Sequence, residues 1–253
     1  MLKRLLPVFA AVGAVGVSQA LAEATSVRVQ LFPFTREVRI QNRDAAGFSF
    51  ALYTISSPGG TLNGANGIWT SIADTYDASG NGFIDPANNW LELSASSTEL
   101  TEGVFAGPGG TLPAFRSLSL GKIWDSGLLS VPDVGVSIFL PSGQPATVEL
   151  RQAIDGDYNE DLAVDAADYD VWKAAFGSAT EFRADGNLDG IVDAADYTIW
   201  RNNFGQSLPS GSGSGLAVGG SPLVVRTIVP EPSAAMLALA AGVLLVLRRR
   251  RTA

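Results

Sequence analysis

One stretch of the sequence occurs twice, first as Val164-Asp-Ala-Ala-Asp-Tyr-Asp-Val-Trp-Lys-Ala-Ala-Phe-Gly177 and again, 28 residues later, as Val192-Asp-Ala-Ala-Asp-Tyr-Thr-Ile-Trp-Arg-Asn-Asn-Phe-Gly205. Each copy follows a run of regularly spaced acidic and amide residues. Within each copy Tyr, Trp and Phe recur at i, i+3 and i+7, the spacing of one helix face, and a Gly stands where a left-handed C-terminal cap forms. The repeat therefore predicts two equivalent units, each a polar loop followed by a short helix.

The second acidic run has the spacing of a calcium loop. Positions 1, 3, 5, 9 and 12 of twelve are occupied by Asp185, Asn187, Asp189, Asp193 and Asp196. Position 7, where such loops contribute a backbone carbonyl, is Ile191, and position 6, the sharp turn, is Gly190. Because oxygen atoms at this spacing converge on one ion, we predict a calcium site here, called the second loop (residues 185–196).

The first acidic run, called the first loop (residues 157–168), repeats these ligands with one departure. Its positions 1, 3, 5, 7, 9 and 12 are Asp157, Asn159, Asp161, Ala163, Asp165 and Asp168. Position 6 is Leu162, so we expect this loop either to strain or to distort, and to bind calcium more weakly or differently. The alternative for any acidic run is a solvated, disordered segment. Two in-register loops with the same helix pattern argue against it.

A calcium loop with only the following helix, duplicated at a short interval, resembles the type I dockerin module rather than a paired-helix EF-hand. Position 12 is commonly Asp in dockerins, as at Asp168 and Asp196, whereas the EF-hand pattern has Glu. The resemblance implies a calcium-dependent helical module at residues 154–206, called here the repeat module, that binds a cohesin-like domain. Positions 10 and 11 help to choose that partner. They are Ala166-Ala167 and Ala194-Ala195, not the hydroxyl-containing pairs common in cellulosomal dockerins.

Composition excludes several kinds of chemistry. The 253 residues include no Cys and no His. These absences rule out Ser-His-Asp and Cys nucleophile mechanisms, His-ligated metal and disulfides. The net charge is −8, and several of the basic residues lie in the terminal segments, so the remainder is more acidic still. An acidic surface argues against nucleic acid and favours divalent cations as partners.

The N-terminus predicts export. Met1-Leu-Lys-Arg-Leu-Leu6 is positive, an apolar run follows to Val17, and Ser-Gln-Ala-Leu-Ala22 contains an A-x-A site. This pattern indicates a signal peptide at residues 1–22, cleaved after Ala22. A retained N-terminal anchor is the alternative.

Residues 23–153 predict an antiparallel β-sandwich. Apolar and polar residues alternate in several runs separated by Gly, Pro, Asn and Ser, and no stretch has a helical period. The predicted strands include Val27, Val29 and Leu31; Val38 and Ile40; Phe48, Phe50 and Leu52; 118–120; 134–140; and 146–150. We therefore expect a mainly β protein: a sandwich, then a small α-helical dockerin-like module, then a C-terminal apolar helix.

The predicted sandwich also resembles, more loosely, the β-rich regions of exported planctomycete proteins that carry dockerin-like repeats. The similarity lies in Val38-Arg-Ile-Gln-Asn42 and Tyr53-Thr-Ile-Ser-Ser-Pro-Gly-Gly-Thr-Leu-Asn63, and it implies no known activity. Two other patterns leave alternatives open. Trp69, Trp90 and Trp124 form either a sugar-stacking platform or core packing. Glu92, Glu99 and Glu102 are candidates for an acid/base pair in glycoside cleavage.

The C-terminal part predicts a tether and a sorting tail. Residues 207–228 form a Gly/Ser-rich linker in which we expect no regular structure. In residues 229–253, Val229-Pro-Glu-Pro-Ser233 precedes an apolar run and Arg248 to Arg251, which resembles a PEP-CTERM signal processed by an exosortase. The run of fourteen residues, 234–247, spans about 21 Å as a helix, short of a hydrocarbon core of about 30 Å, so we expect transient membrane anchoring. A permanent C-terminal anchor is the alternative.

These signals together predict a non-catalytic exported protein of the cell envelope, with a calcium-binding module for attachment or protein–protein interaction. The expected partners are a cohesin-like domain or a cell-surface polysaccharide, together with the exosortase. The alternative is a carbohydrate-binding or polysaccharide-degrading protein. The first reading depends on three signals that occur in a consistent order along the chain.

Overall fold

The chain is mainly β, with several antiparallel sheets and few helices. The computed structural model describes residues 27–65, 67–75, 84–85, 89–124, 134–208 and 226–228. The strands are β1 Val27–Phe32, β2 Glu37–Asn42, β3 Phe48–Phe50, β4 Leu52–Ser56, β5 Trp90–Ala95, β6 Glu99–Val104, β7 Gly110–Leu112, β8 Ser117–Ser119, β9 Gly135–Phe139, β10 Val148–Gln152 and β11 Arg226–Ile228. The helices are α1 Ile72–Thr75, α2 Ala166–Ala175 and α3 Ala194–Asn203.

The largest sheet has five strands in the order β11-β10-β1-β2-β8. Its centre is β1, in which Val29 lies opposite Ile40 of antiparallel β2 and opposite Leu150 of β10. The β1–β10 pair is parallel, which alternation along single strands does not reveal because it sets a strand's faces and not its direction. The predicted antiparallel arrangement therefore has an exception at this pair.

A second sheet has four strands in the order β5-β6-β4-β9, and β3 pairs with β7 separately. The alternating run that includes Phe48, Phe50 and Leu52 was predicted as one strand. In the structure it is divided at Ala51, where β3 ends and β4 begins in a different sheet. Strands β5, β6 and β7 were not predicted, since most side chains of β5 are exposed and do not alternate.

One hydrophobic core connects the two larger sheets. Val29 and Ile40 of the five-stranded sheet belong to the same buried cluster as Tyr53 and Ile138 of the four-stranded sheet. Burial of large apolar side chains stabilises a fold by roughly 2 kcal/mol each, so this shared cluster holds together what we call the β-rich region, residues 27–152.

The terminal predictions fall almost wholly outside the described residues. The predicted signal peptide, the apolar run 234–247 and most of the predicted linker are among the residues that are not described. Among the described residues, no helix has the length and apolar character needed to cross a membrane. The exception in the predicted linker is β11, which pairs antiparallel with β10. Regular structure therefore occurs where none was expected.

Candidate metal centre

Each loop of the repeat module leads into its helix through the same pair of carboxylates. The side chain of Asp165, at the N-cap of α2, accepts the N–H of Ala167 at 2.7 Å, and Asp168 accepts the N–H of Asp165 at 2.8 Å. Asp193 and Asp196 make the equivalent bonds at 2.7 and 2.8 Å at the start of α3. Positions 9 and 12 of both loops are thus fixed by helix capping.

The position-12 carboxylates also accept hydrogen bonds from the first residues of each loop, which brings the start of the loop against its helix. Oδ1 of Asp168 accepts the N–H groups of Tyr158 and Asn159 at 2.8 and 2.9 Å. Oδ1 of Asp196 accepts those of Gly186 and Asn187 at 2.8 and 3.2 Å. Both carboxylates are fully buried. The backbone N–H groups at positions 2 and 3 are therefore bonded to position 12, which closes each loop.

The two aromatic helix faces pack against each other. The ring of Tyr169 lies 6.2 Å from that of Tyr197 and 5.2 Å from that of Trp200, centroid to centroid. The indole N–H of Trp172 donates to the carbonyl of Asp193, and that of Trp200 donates to the carbonyl of Asp165, both at 2.8 Å. Each helix thus binds the N-cap residue of the other, which relates the two loops by approximate twofold symmetry.

Position 6 shows how the first loop accommodates its leucine. Leu162 has a φ of 73° and Gly190 a φ of 95°, so both loops make the same left-handed turn. From the sequence we expected either backbone strain at Leu162 or a distorted loop. The structure shows a strained backbone and an undistorted turn. A left-handed non-Gly residue costs about 1–2 kcal/mol. Leu162 is only 6% exposed, and burial of its side chain offsets that cost.

Position 1 distinguishes the two loops most clearly. In the first loop, Oδ1 of Asp157 accepts the N–H of Asp161 at 3.0 Å and Oδ2 accepts that of Leu162 at 2.8 Å. In the second loop, Oδ2 of Asp185 accepts the N–H of Gly190 at 2.9 Å, whereas Oδ1 is buried without any hydrogen-bond partner. A buried carboxylate oxygen with no donor is costly, so this atom requires a cation or another donor.

Positions 3, 5 and 7 form a ladder of local bonds in both loops. The amide of Asn159 donates to Asp161, and the amide of Asn187 donates to Asp189, at 3.0 and 2.8 Å. The N–H groups of Ala163 and Ile191 donate to these aspartates at 2.9 and 3.0 Å. Within the described ranges, no three carboxylates are gathered as a metal-binding cluster. The ligand set predicted here also uses amide and carbonyl oxygens, which such a cluster does not include.

Burial disfavours the charged form of four of the loop carboxylates. It raises the pKa of Asp157 to about 6, and the charge of Asp168 adds to the effect. Burial also raises the pKa values of Asp168, Asp185 and Asp196, and neighbouring aspartates act in the same direction. A bound divalent cation would reverse this trend, because it favours the ionised form of every carboxylate near it.

The first loop is joined to the β-rich region by ion pairs. Nη1 of Arg28, on β1, lies 2.6 Å from Oε2 of Glu160, and its Nε lies 3.1 Å from Glu149 on β10. Arg28 is only 3% exposed. Nη2 of Arg39 lies 2.9 Å from Oδ1 of Asp155, just before the loop. Glu160 occupies position 4 and is not a predicted ligand, so these contacts leave the predicted ligands of the first loop free.

The second loop meets the β-rich region through one of its predicted ligands. Nη1 of Arg116 lies 3.7 Å from Oδ2 of Asp185, and its guanidinium stacks over the ring of Phe182 at 4.7 Å. Sequence reasoning did not find Arg116, Glu160 or Asp155 as contact residues, because no local pattern relates them. Comparing the two copies could have found another difference: Tyr158 stands where the second loop has Gly186.

Tyr158 fills the space that Gly186 leaves. Its hydroxyl donates to the carbonyl of Asp196 at 2.8 Å. A Cβ placed on Gly186 would lie 2.8 Å from that hydroxyl oxygen. The first loop therefore inserts a side chain into the second, and the glycine is needed for the close approach.

A polar cleft of about 500 Å³ separates the repeat module from the β-rich region. The charged residues that line it include Glu37, Arg39 and Asp155. These groups bond to one another: Arg39 to Glu37 at 2.6 Å and to Asp155 at 2.9 Å, and the Ser119 hydroxyl to Glu37 at 2.5 Å. The charged side chains that line the cleft therefore hold one another in place.

The candidate sugar platform and the candidate acid/base pair in the β-rich region can now be compared with the structure. Trp69, Trp90 and Trp124 are buried in the shared core, so they pack there and do not form a sugar platform. Burial raises the pKa of Glu102 to about 7 against the lowering effect of its hydrogen bonds. Its carboxylate accepts the Tyr53 hydroxyl and two N–H groups at the start of α1, whereas Glu92 is exposed. These bonds make Glu102 a structural carboxylate.

Comparisons with known proteins give no match to this chain. No family model, no curated protein and no solved structure is similar to it.

Proposed function

We propose that the protein is a non-catalytic calcium-binding protein of the cell envelope. The observation that carries this proposal is the buried Oδ1 of Asp185, which has no hydrogen-bond partner. It belongs to the first of six oxygen-bearing positions whose spacing is that of a calcium loop. The residues fit the ion, since calcium prefers carboxylate, amide and carbonyl oxygens.

The proposed ligands are side chains at positions 1, 3, 5, 9 and 12 of each loop and the carbonyl at position 7. In the first loop they are Asp157, Asn159, Asp161, Ala163, Asp165 and Asp168. In the second they are Asp185, Asn187, Asp189, Ile191, Asp193 and Asp196. Calcium would neutralise clustered carboxylates that otherwise repel one another. The residues at positions 9 and 12 also cap the helices, so the ion would connect each loop to its helix.

Calcium would matter for the stability of the repeat module, because the apolar core of the module is small. Its buried cluster contains Tyr158, Ala175, Ala184 and Val192, and the two indoles cover it in part. The chain has no disulfide to compensate. An ion present at a thousand times its Kd stabilises the folded state by about 4 kcal/mol. That amount is comparable with the roughly 5 kcal/mol that burial of these four side chains supplies.

The setting of the module supports a role in attachment. A β-sandwich, a dockerin-like module and a PEP-CTERM tail in this order suit an exported protein that is delivered through the membrane and displayed at the envelope. The partner would be a cohesin-like domain or a surface polysaccharide. The structural support is the two-sheet core and the twofold arrangement of the loops.

Calcium titration calorimetry of residues 23–228, combined with circular dichroism in calcium and in EDTA, tests the proposal. We expect two binding events and a loss of helical signal in EDTA, with the β signal retained. The Glu92→Gln variant is a matched control, since Glu92 is an exposed carboxylate on β5, outside the repeat module, and its loss should leave calcium binding unchanged. Absence of binding heat, together with a spectrum that EDTA does not alter, would refute the proposal.

A further inference from the structure

We propose that Arg116 is an internal counter-ion that competes with calcium for Asp185, so that the β-rich region sets the calcium affinity of the second loop. This inference rests on the proposed function and assigns a regulator to one of its two sites. The decisive observation is that a cation from outside the repeat module contacts a position-1 ligand whose other oxygen has no partner.

Arg116 is held in place on three sides. Its carbonyl accepts the N–H of Asn42 at 2.9 Å, and its own N–H donates to the carbonyl of Pro113 at 3.2 Å. Its guanidinium is stacked over Phe182 and is 17% exposed. The two main-chain bonds fix the backbone of Arg116, and stacking on Phe182 holds its guanidinium beside the second loop.

The guanidinium lies directly over the turn of the second loop. A Cβ placed on Gly190 would overlap Nη1 of Arg116, which places this charge against position 6 as well as position 1. The 3.7 Å separation from Oδ2 of Asp185 is an ion pair and is longer than a hydrogen bond. Arg116 therefore balances the charge of Asp185 without satisfying Oδ1, and it leaves that oxygen available to a second cation.

Electrostatics makes the two cations antagonists. The carboxylates of Asp189 and Asp196 act on Asp185 from the loop side, and Arg116 opposes them from the β-rich side. Calcium bound to Asp185 would be repelled by the guanidinium. Repulsion between charges of +2 and +1 roughly 6 Å apart in water weakens binding about tenfold. By reciprocity, calcium weakens the hold of Arg116 on Asp185 by the same factor.

The first loop has a different arrangement. The arginines near it, Arg28, Arg43 and Arg151, all have ion pairs with Glu160 at position 4. Arg28 and Arg43 also pair with Glu149, and neither Glu149 nor Glu160 is a predicted ligand. Competition of the kind proposed for Arg116 is therefore specific to the second loop, and the effect on the two loops can be measured separately.

Calcium titration calorimetry of the whole chain compares wild type with Arg116→Gln and Arg116→Met, the latter keeping apolar contact with Phe182. We expect the affinity of the second site to rise about tenfold in both variants. In EDTA their Tm should fall, because the ion pair is lost, while the calcium-induced rise in Tm should increase. Arg43→Gln, which alters an arginine that pairs with Glu160, is the matched control and should leave the second site unchanged.

Nuclear magnetic resonance of wild type adds a readout that requires no variant, since the Nε signal of Arg116 should shift when the second site fills. An unchanged or lower affinity in both variants, with wild type binding calcium normally, would overturn the competition. An Nε signal indifferent to calcium would overturn it as well. If wild type bound no calcium at all, the proposed function would fail instead, so the two failures are distinguishable.

Discussion

The two loops share their ligand spacing, their helix caps and their left-handed turn, yet they differ in what surrounds them. The first loop carries Leu162 at the turn, and it is fastened to the β-rich region through Glu160, outside the predicted ligand set. The second carries Gly190 and meets the β-rich region through Asp185, which is a predicted ligand. Equal ligand sets therefore do not imply equal sites, because neighbouring charges and backbone strain also determine affinity.

These differences act in opposite directions. Strain at Leu162 weakens the first loop, and the positive charge of Arg116 weakens the second. We still expect the second loop to bind calcium more tightly, since its turn residue is unstrained and its buried Asp185 oxygen lacks any other partner. The charge of Arg116 reduces the expected difference in calcium affinity between the two loops.

The largest effect is expected when a position-12 carboxylate is removed. Asp168→Ala and Asp196→Ala each delete the acceptor of three backbone N–H groups, at about 1.5 kcal/mol or more for each bond. Each variant should therefore lose about 4.5 kcal/mol or more in chemical denaturation. With calcium present, Asp196→Ala should lose more than Asp168→Ala. Equal losses of calcium-binding heat in the two variants would contradict the ranking.

The next largest effect on stability is expected from substitutions at position 6 of each loop. Gly190→Ala forces a Cβ into a left-handed turn and against Arg116, and we expect a loss of about 2 kcal/mol. Leu162→Gly relieves strain but removes a buried side chain, so its stability should change by less than about 1 kcal/mol. Thermal unfolding of the two variants measures this difference. A large loss in Leu162→Gly together with a small one in Gly190→Ala would reverse the interpretation.

The contact between Tyr158 and Gly186 should stabilise the folded repeat module by about 1 kcal/mol. Tyr158→Phe removes one buried hydrogen bond to the carbonyl of Asp196. Gly186→Ala places a methyl group against the same hydroxyl, so it should cost less in the Tyr158→Phe background than in wild type. A double-mutant cycle by urea denaturation measures this coupling. Strict additivity would show that the two copies do not interlock at this point.

The smallest expected effect is a dependence on pH in the absence of calcium. The raised pKa of Asp157, about 6, means that the folded module binds a proton more tightly than the unfolded one. Stability without calcium should fall as pH rises from about 4 to about 6, by no more than about 1 kcal/mol because Asp157 is partly exposed. Helical signal in EDTA, followed against pH, measures it. Asp157→Asn should reduce the slope without abolishing it, because the pKa values of Asp168, Asp185 and Asp196 are raised as well; an unchanged slope in that variant would show that Asp157 does not contribute.

The sequence predicted the mainly β class and several strands correctly, because apolar residues alternate at Val27–Leu31 and Val38–Ile40. In β2 this alternation matches one buried face, whereas in β1 the intervening Arg28 is buried as well. It did not predict the parallel partner of β1 or the break at Ala51. Pairing direction and sheet membership depend on residues more than a hundred positions apart, as in the pairing of Val29 with Leu150.

Within the candidate site, local pattern and tertiary surroundings contributed differently. The repeat predicted both helices, their common start and the aromatic faces, since capping and a helical period are local properties. The proposed calcium ligands and their order remain predictions. Arg116, Glu160 and the reciprocal indole bonds depend on how distant segments pack, and sequence spacing within one loop does not encode that.

Strand β11 has a mechanical consequence. Its three residues pair with β10, so the chain returns to the β-rich region after the repeat module. If the tail is anchored as proposed, tension would reach the folded body first at these three residue pairs. Such a short strand would detach before the shared core does, because only three residue pairs hold it. The pairing of β11 with β10 would then be the first contact of the described structure to yield under load.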